Sequence, residues 1–268
     1  MKYFNECELV FISNFGTGVI LAQNASISIN RNIDSVNVIG RRNVSENQIK
    51  LDETSVSFSY FPNISDPVFK CFEYVRTGAF ENSFPESQIP IVLKVAGISG
   101  SFYPNNFSVD VSPNSKAKVS TSFSNFSDIS GLLTSKMATN NLNSGSGIPH
   151  AWSVRVSGHN PVANYNVLEA SYSSSISWSP IYAIGRLRPS QVDLANGEES
   201  MEFLIDDAGS NFFSGVLSGA ENVKINFRTF GGDTIFLIDT SGSKIDSSDI
   251  GININDFAGN KISLKRAF

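Results

Sequence analysis

Apolar and polar residues alternate one by one along much of the chain. Ala25-Ser26-Ile27-Ser28-Ile29-Asn30 does so, as do Ser55-Val56-Ser57-Phe58-Ser59-Tyr60, Phe107-Ser108-Val109-Asp110-Val111 and Val119-Ser120-Thr121-Ser122-Phe123. Val223 to Arg228 and Gly251-Ile252-Asn253-Ile254-Asn255 repeat the pattern farther on. A period of two puts one side of each segment on a core and leaves the other polar, as in antiparallel sheets packed as a sandwich or barrel. Denser apolar runs, Ile89 to Val95 and Thr234 to Ile238, predict central strands. Helical spacing is rare. Asp66 to Val75 has it, with Asp66 placed as N-cap and Pro67 at the first helical position. Asn211 to Leu217, weakened by a glycine, predicts a second short helix, and Leu132 to Leu142 is a further candidate. The expected class is all-β with minor helix.

The chain also matches itself. Shifted by 145 positions, Ala25-Ser26 falls on Ala170-Ser171 and Ile39-Gly40-Arg41 falls on Ile184-Gly185-Arg186. Glu53, Ser55 and Phe58 fall on Glu198, Ser200 and Phe203. That period is too long for a solenoid and suits a small domain, so two tandem antiparallel β domains are expected, each with one short flanking helix. Asn140 to Pro149, containing Gly145-Ser146-Gly147, reads as their linker, which sets the domains at residues 1–147 and 148–268. Ser112-Pro113-Asn114-Ser115 reads as a hairpin connection, and Asp239 to Lys244 as a longer one of the same kind.

Composition narrows the function. Charged residues make up only 17% of the chain, and Ser and Asn supply the polarity instead. Such neutral groups are buried at a protein contact at lower cost than charges. The net charge of −5 argues against wrapping nucleic acid, which needs clustered Lys and Arg. The start, Met1-Lys2-Tyr3-Phe4-Asn5-Glu6, lacks a basic region followed by an apolar run, and no stretch reaches the ~20 apolar residues of a membrane span. Synthesis in a cytoplasm is expected, with Cys7 and Cys71 as free, buried thiols.

Catalytic and metal signatures are missing from the sequence. It has no Gly-x-Ser-x-Gly elbow, no His-Glu-x-x-His and no Walker loop. His150 and His159 are the two imidazoles, and they read as polar loop or subunit-contact residues. Asp246, Asp249 and Asp256, with Asn253 and Asn255, lack calcium-loop spacing and read as a solvated loop. No catalytic, cofactor or metal residue is therefore assigned. Trp152 and Trp178 are expected at the core margin or on a subunit face. Arg41 and Arg186, at the matched triplets, carry two readings. Each is a contact to a neighbouring subunit, or the first solvated residue after a turn made by Gly40 or Gly185.

Long Ser- and Thr-rich strands with few charges leave sheet edges ready to pair with another molecule. In these features the chain resembles bacteriophage tail tube proteins. The resemblance is carried by Phe107–Val111 and Val119–Phe123 joined at Ser112–Ser115, and by Ser179-Pro180-Ile181-Tyr182-Ala183-Ile184-Gly185-Arg186 followed by an acidic turn at Asn196-Gly197-Glu198-Glu199. It implies two tail-tube-type sandwich or barrel domains whose long hairpins join between subunits around a pore. It further implies a structural virion protein of the tail, not an enzyme, with no cofactor and no membrane. The implied partner is the chain itself, as a trimeric ring with pseudo-sixfold symmetry or a hexamer, stacked into a tube. Other tail proteins would bind it, and genomic DNA would pass non-specifically through the lumen. A tube initiator, baseplate or tail-completion protein is the neighbouring alternative, and a carbohydrate-binding sandwich module the more distant one.

Overall fold

A computed structural model describes residues 9–14, 16–20, 22–30, 33–36, 46–49, 53–62, 66–77, 90–112, 115–131, 154–157, 166–184, 186, 188–206, 224–228, 234–239, 244–251 and 259–268. In chain order it has β1 (Leu9–Ser13), β2 (Gly16–Val19), β3 (Ala22–Asn30), β4 (Ile33–Val36), β5 (Glu46–Ile49) and β6 (Glu53–Tyr60). Helix α1 (Pro67–Arg76) is followed by β7 (Ile91–Val95), β8 (Ile98–Val111), β9 (Lys118–Asn125) and the short β10 (Ser130–Gly131). Then come β11 (Val154–Ser157), β12 (Asn166–Tyr182), β13 (Pro189–Asp206) and β14 (Lys224–Arg228). β15 (Thr234–Asp239), β16 (Lys244–Gly251) and β17 (Gly259–Ala267) complete the described elements. The class is all-β with a minor helix, as the alternation predicts.

Eight strands form one antiparallel layer in the order β3-β6-β9-β8-β12-β13-β17-β16. The first half of β8 belongs to a second layer, β2-β1-β7-β8, so this strand bends from one sheet into the other. The bend falls at a bulge between Pro104 and Asn106. One extra residue there shifts the inward positions from Phe102 and Pro104 to Phe107, Val109 and Val111, so both halves keep their apolar side on the core. The β7–β8 turn is two residues long, Ala96 at φ 51° and Gly97 at φ 89°, the left-handed pair that suits the twist of a hairpin. The two layers meet at Phe11 and Phe123, whose ring centroids are 6.4 Å apart.

Helix α1 lies over the large sheet. The Oδ1 of Asp66 accepts from the backbone N–H of Val68 (2.9 Å) and Phe69 (3.2 Å), which starts the helix. The same oxygen accepts from the hydroxyl of Tyr60 at 3.0 Å, tying the cap to β6. Phe69 and Phe72 then pack on Phe107, and Phe72 also on Phe123, at centroid separations of 5.4 to 5.7 Å. Each such ring contributes on the order of 1.5–3 kcal/mol by leaving water.

The pairing of the large sheet repeats. Ala25 faces Phe58 on β3 and β6, and 145 residues on, Ala170 faces Phe203 on β12 and β13. The register shift between Ala22 and Asn24 recurs between Val167 and Glu169. Outside the large sheet, Ile33 faces Ile49 in the separate two-stranded sheet β4-β5, and Trp178 faces Leu194 on β12 and β13 at the same shift. The next two strands repeat with a shift of 141: Asn106 faces Ser122 on β8 and β9, and Ser247 faces Ser263 on β16 and β17. Their bulges correspond as well, Pro104/Asn106 against Ile245/Ser247.

Several expectations are corrected. Asn196 to Glu199 is not a turn but the middle of β13, where Gly197 is buried and exchanges backbone hydrogen bonds with Phe268 (3.0 and 2.9 Å). Asp246 and Asp249 lie on β16 rather than in a loop, because Lys244 to Gly251 completes the sheet edge beside β17. Thr234–Asp239 is an edge strand of a separate three-stranded sheet, β11-β14-β15, and not a central one; β15 and β16 lie in different sheets, and residues 240–243 of the expected connection lie outside the described residues. Among the described residues the large sheet is open, with β3 and β16 at its borders, and not closed into a barrel. The helices proposed at Leu132–Leu142 and Asn211–Leu217 lie outside the described residues, as do the linker and Cys7.

Candidate functional site: a serine-paved sheet face

Strand alternation sends every second residue of the large sheet away from the core, and the register aligns these residues in rows across the strands. One row runs Asn24, Ser59, Ser120, Ser108, Ser173, Ser200, Lys265, Lys244 from β3 to β16. Its neighbour runs Ser26, Ser57, Ser122, Asn106, Ser175, Glu198. Side chains along the rows satisfy one another. The hydroxyls of Ser26 and Ser57 lie 2.7 Å apart and those of Ser173 and Ser200 2.8 Å apart; Ser59 donates to Asn24 Oδ1 at 2.6 Å and Asn106 Nδ2 to Ser122 at 3.1 Å. Such cross-strand pairs stabilise the sheet by about 0.2–1 kcal/mol each.

The resulting floor is neutral across five strands. Where charges enter they are mixed: Asp110 faces Lys118, and Lys261 Nζ stands 2.8 Å from Glu202 Oε2. Partial burial raises the Asp110 carboxyl above its ordinary pKa. Apart from Ser59, which is buried, a face of this kind offers hydroxyls to water and lacks the dense cationic field that holds nucleic acid phosphates.

The hairpin of β12 and β13 runs beyond the paired body of the sheet. Its end exposes Ile181, Tyr182 and Ile184, the last fully. Arg186 lies at that tip, exposed, its backbone N–H donating to Ala183 O at 3.1 Å across the turn. Arg41 lies outside the described residues. Trp178 is half-buried at the core margin, 5.1 Å from the Tyr103 ring, with its Nε1–H donating to Pro104 O at 2.7 Å. His150, His159 and Trp152 lie outside the described residues.

On the opposite side of the sheet sits a buried ionic cluster. Glu199, 1% exposed, has Arg266 Nη2 at 2.7 Å, Arg76 Nη1 at 3.8 Å and the Tyr172 hydroxyl, which donates to its Oε2 at 3.1 Å. Burial raises the Glu199 carboxyl above its ordinary pKa, while Arg266 and Arg76 act to lower it. Arg76 also donates to Asp239 O, so the end of α1 is tied to β13 and β15 together. A cleft of about 740 Å³ opens beside the cluster between α1, β15 and β17. Sequence reasoning missed this cluster. The signal was available, since Glu199 shares the parity of Met201 and Phe203.

Cys71 is a free, buried thiol, pushed up to about 12 by burial and so protonated at neutral pH. Among the described residues no group of three or more His, Cys, Asp or Glu could hold a metal ion, and no helix is long and apolar enough to cross a membrane. No protein-family model matches the chain, and no curated protein matches its sequence.

Proposed function

We propose that the protein is a structural subunit of a bacteriophage tail tube, built from two tandem copies of one tail-tube-type domain and assembled into stacked rings that conduct DNA. The single observation that carries this reading is the repeated register of the large sheet. Two four-stranded units with equivalent pairing sit side by side in one continuous layer. A chain that already joins two equivalent units edge to edge is suited to add further ones by the same contact. Three chains then make a pseudo-sixfold ring, and head-to-tail stacking of rings gives a tube.

The serine-paved face suits the lumen. Its neutral hydroxyls leave passing phosphates neither trapped by clustered cations nor held by specific base contacts. Binding is mechanical and no catalytic step is assigned. Exposed Ile181, Tyr182 and Ile184 at the hairpin tip, with Arg186 beside them, favour a contact to the neighbouring ring. Electron microscopy of the purified chain is the test. Hollow tubes are expected; single annuli that never stack would move the reading to a tube initiator or baseplate component, and dispersed monomers at high concentration would overturn both.

A further inference from the structure

The border strands β3 and β16 carry more information than openness. Within the chain, β8 and β12 form the joint between the two units, with Tyr172 opposite Val109 and Ser173 opposite Ser108. β12 stands where β3 stands, shifted by 145, and β16 stands where β8 stands, shifted by 141. The edge of β12 that β8 occupies is therefore the edge that β3 presents at the border of the sheet. Likewise, the edge of β8 that β12 occupies is the one that β16 presents. Among the described residues neither edge has a partner strand.

We propose that β16 of one copy pairs antiparallel with β3 of the next copy in the register copied from the β8–β12 joint. Ser26 then faces Gly251, Ile27 faces Ile250, Ser28 faces Asp249 and Asn30 faces Ser247. The proposal deepens the ring-subunit reading and rests on it for the identity of the partner; the register comes from the internal joint.

Two further observations fit a second copy. The chain along β3, Ala-Gln-Asn-Ala-Ser-Ile-Ser-Ile-Asn, contains no proline and no charge, the usual devices that keep an edge from pairing. Ile29 points to the core side, yet it is 46% exposed, whereas its counterpart Ser174 is 2% exposed where β8 runs alongside β12. A strand laid along β3 would cover Ile29 in the same manner. The register also keeps like with like: a slip of one residue would set Ile27 against Asp249 and turn the apolar side of one strand toward the polar side of the other.

Cysteine pairs in the full chain test this. Residues directly opposite on antiparallel strands have Cβ atoms roughly 4.5–5.5 Å apart, within reach of a disulfide or of a short bis-methanethiosulfonate bridge. Ser28→Cys combined with Asp249→Cys should give an intermolecular crosslink, identified by mass spectrometry of the joined peptides, at least about tenfold above either single variant. The offset pair Ser28→Cys with Ser247→Cys should stay near the single-variant level. Tubes or rings in the microscope with the offset pair crosslinking instead, or with neither pair crosslinking, would overturn the register and leave the ring reading standing. Monomers under the microscope together with no crosslink would overturn both. A 28–249 crosslink within a single chain, independent of concentration, would overturn the intermolecular joint.

Discussion

The two four-stranded units of the large sheet agree in backbone pairing and differ in what they bury. On the core side of the first unit, Val56 and Phe58 occupy the places that Met201 and Phe203 hold in the second. One step along, the first unit sets Thr54 opposite Asn125, and the second sets Glu199 opposite Arg266. Asn125 is satisfied locally, donating to Ser101 O at 2.6 Å and accepting from the Ser127 N–H at 2.9 Å. Glu199 instead draws on a residue far away in the chain, Arg76 at the end of α1. Alternation fixes the register, and side-chain identity within it is free to vary. The second unit used that freedom to bind itself to the first unit's helix.

The largest expected effect tests whether the two units contribute equivalent cores. Phe58→Ala and Phe203→Ala remove matched rings, each at most 3% exposed. Each should cost about 3–5 kcal/mol in urea unfolding, since a cavity is left as well as apolar area lost. Loss of Phe58 also removes its stacked contact with Phe123 at 5.7 Å, so its cost should fall at the upper end. If Phe203→Ala cost less than about 1 kcal/mol while Phe58→Ala unfolded the protein, the units would not be equivalent in packing.

A smaller effect separates the neutral pair from the ionic one. Arg266→Ala leaves a buried carboxylate with one guanidinium fewer and should cost about 3 kcal/mol. The double change Glu199→Thr with Arg266→Asn transplants the first unit's pair into the second. It should cost less than Arg266→Ala alone, because the buried carboxylate is removed together with its partner and the buried Arg76 keeps Glu73 and the Asp239 carbonyl. Chemical denaturation of the two variants side by side reads the difference. A double variant less stable than the single one would mean that the ionic cluster is required for packing in its own right.

How far the sequence discloses these features depends on how local their cause is. β3, β6, β8, β9 and α1 are legible because burial on one side imposes a period on adjacent residues, and Asp66-Pro67 announces the helix start. β16 is not, since Ile245 and Ile250 are its sole apolar residues and its Ser and Asp resemble a loop. Asn196 to Glu199 has turn composition, and what holds it extended is Phe268, distant in sequence. An added Cβ at Gly197 would stand 2.2 Å from that ring, so the glycine serves close approach rather than a bend. The serines of the paved face are visible one strand at a time. Their alignment into rows, and the joint of β8 with β12, are set by long-range register that no local pattern encodes.

The subtlest difference between the units is in their response to pH. The first unit's Thr54–Asn125 pair does not titrate, whereas Glu199 does, with its carboxyl raised chiefly by burial. A carboxyl whose folded pKa exceeds its unfolded one gives its full contribution to stability below the ordinary glutamate range, where both states are protonated. That contribution is lost as pH rises through the raised folded value and is level above it. Glu199→Gln has no such proton to lose. The melting temperature of Glu199→Gln minus that of the parent should therefore increase between about pH 4 and pH 7, cancelling the shared response of the remaining carboxylates. A difference that instead decreased over that range would show that Arg266 and Arg76 outweigh burial, making the second unit's cluster a net ion pair and widening its contrast with the first.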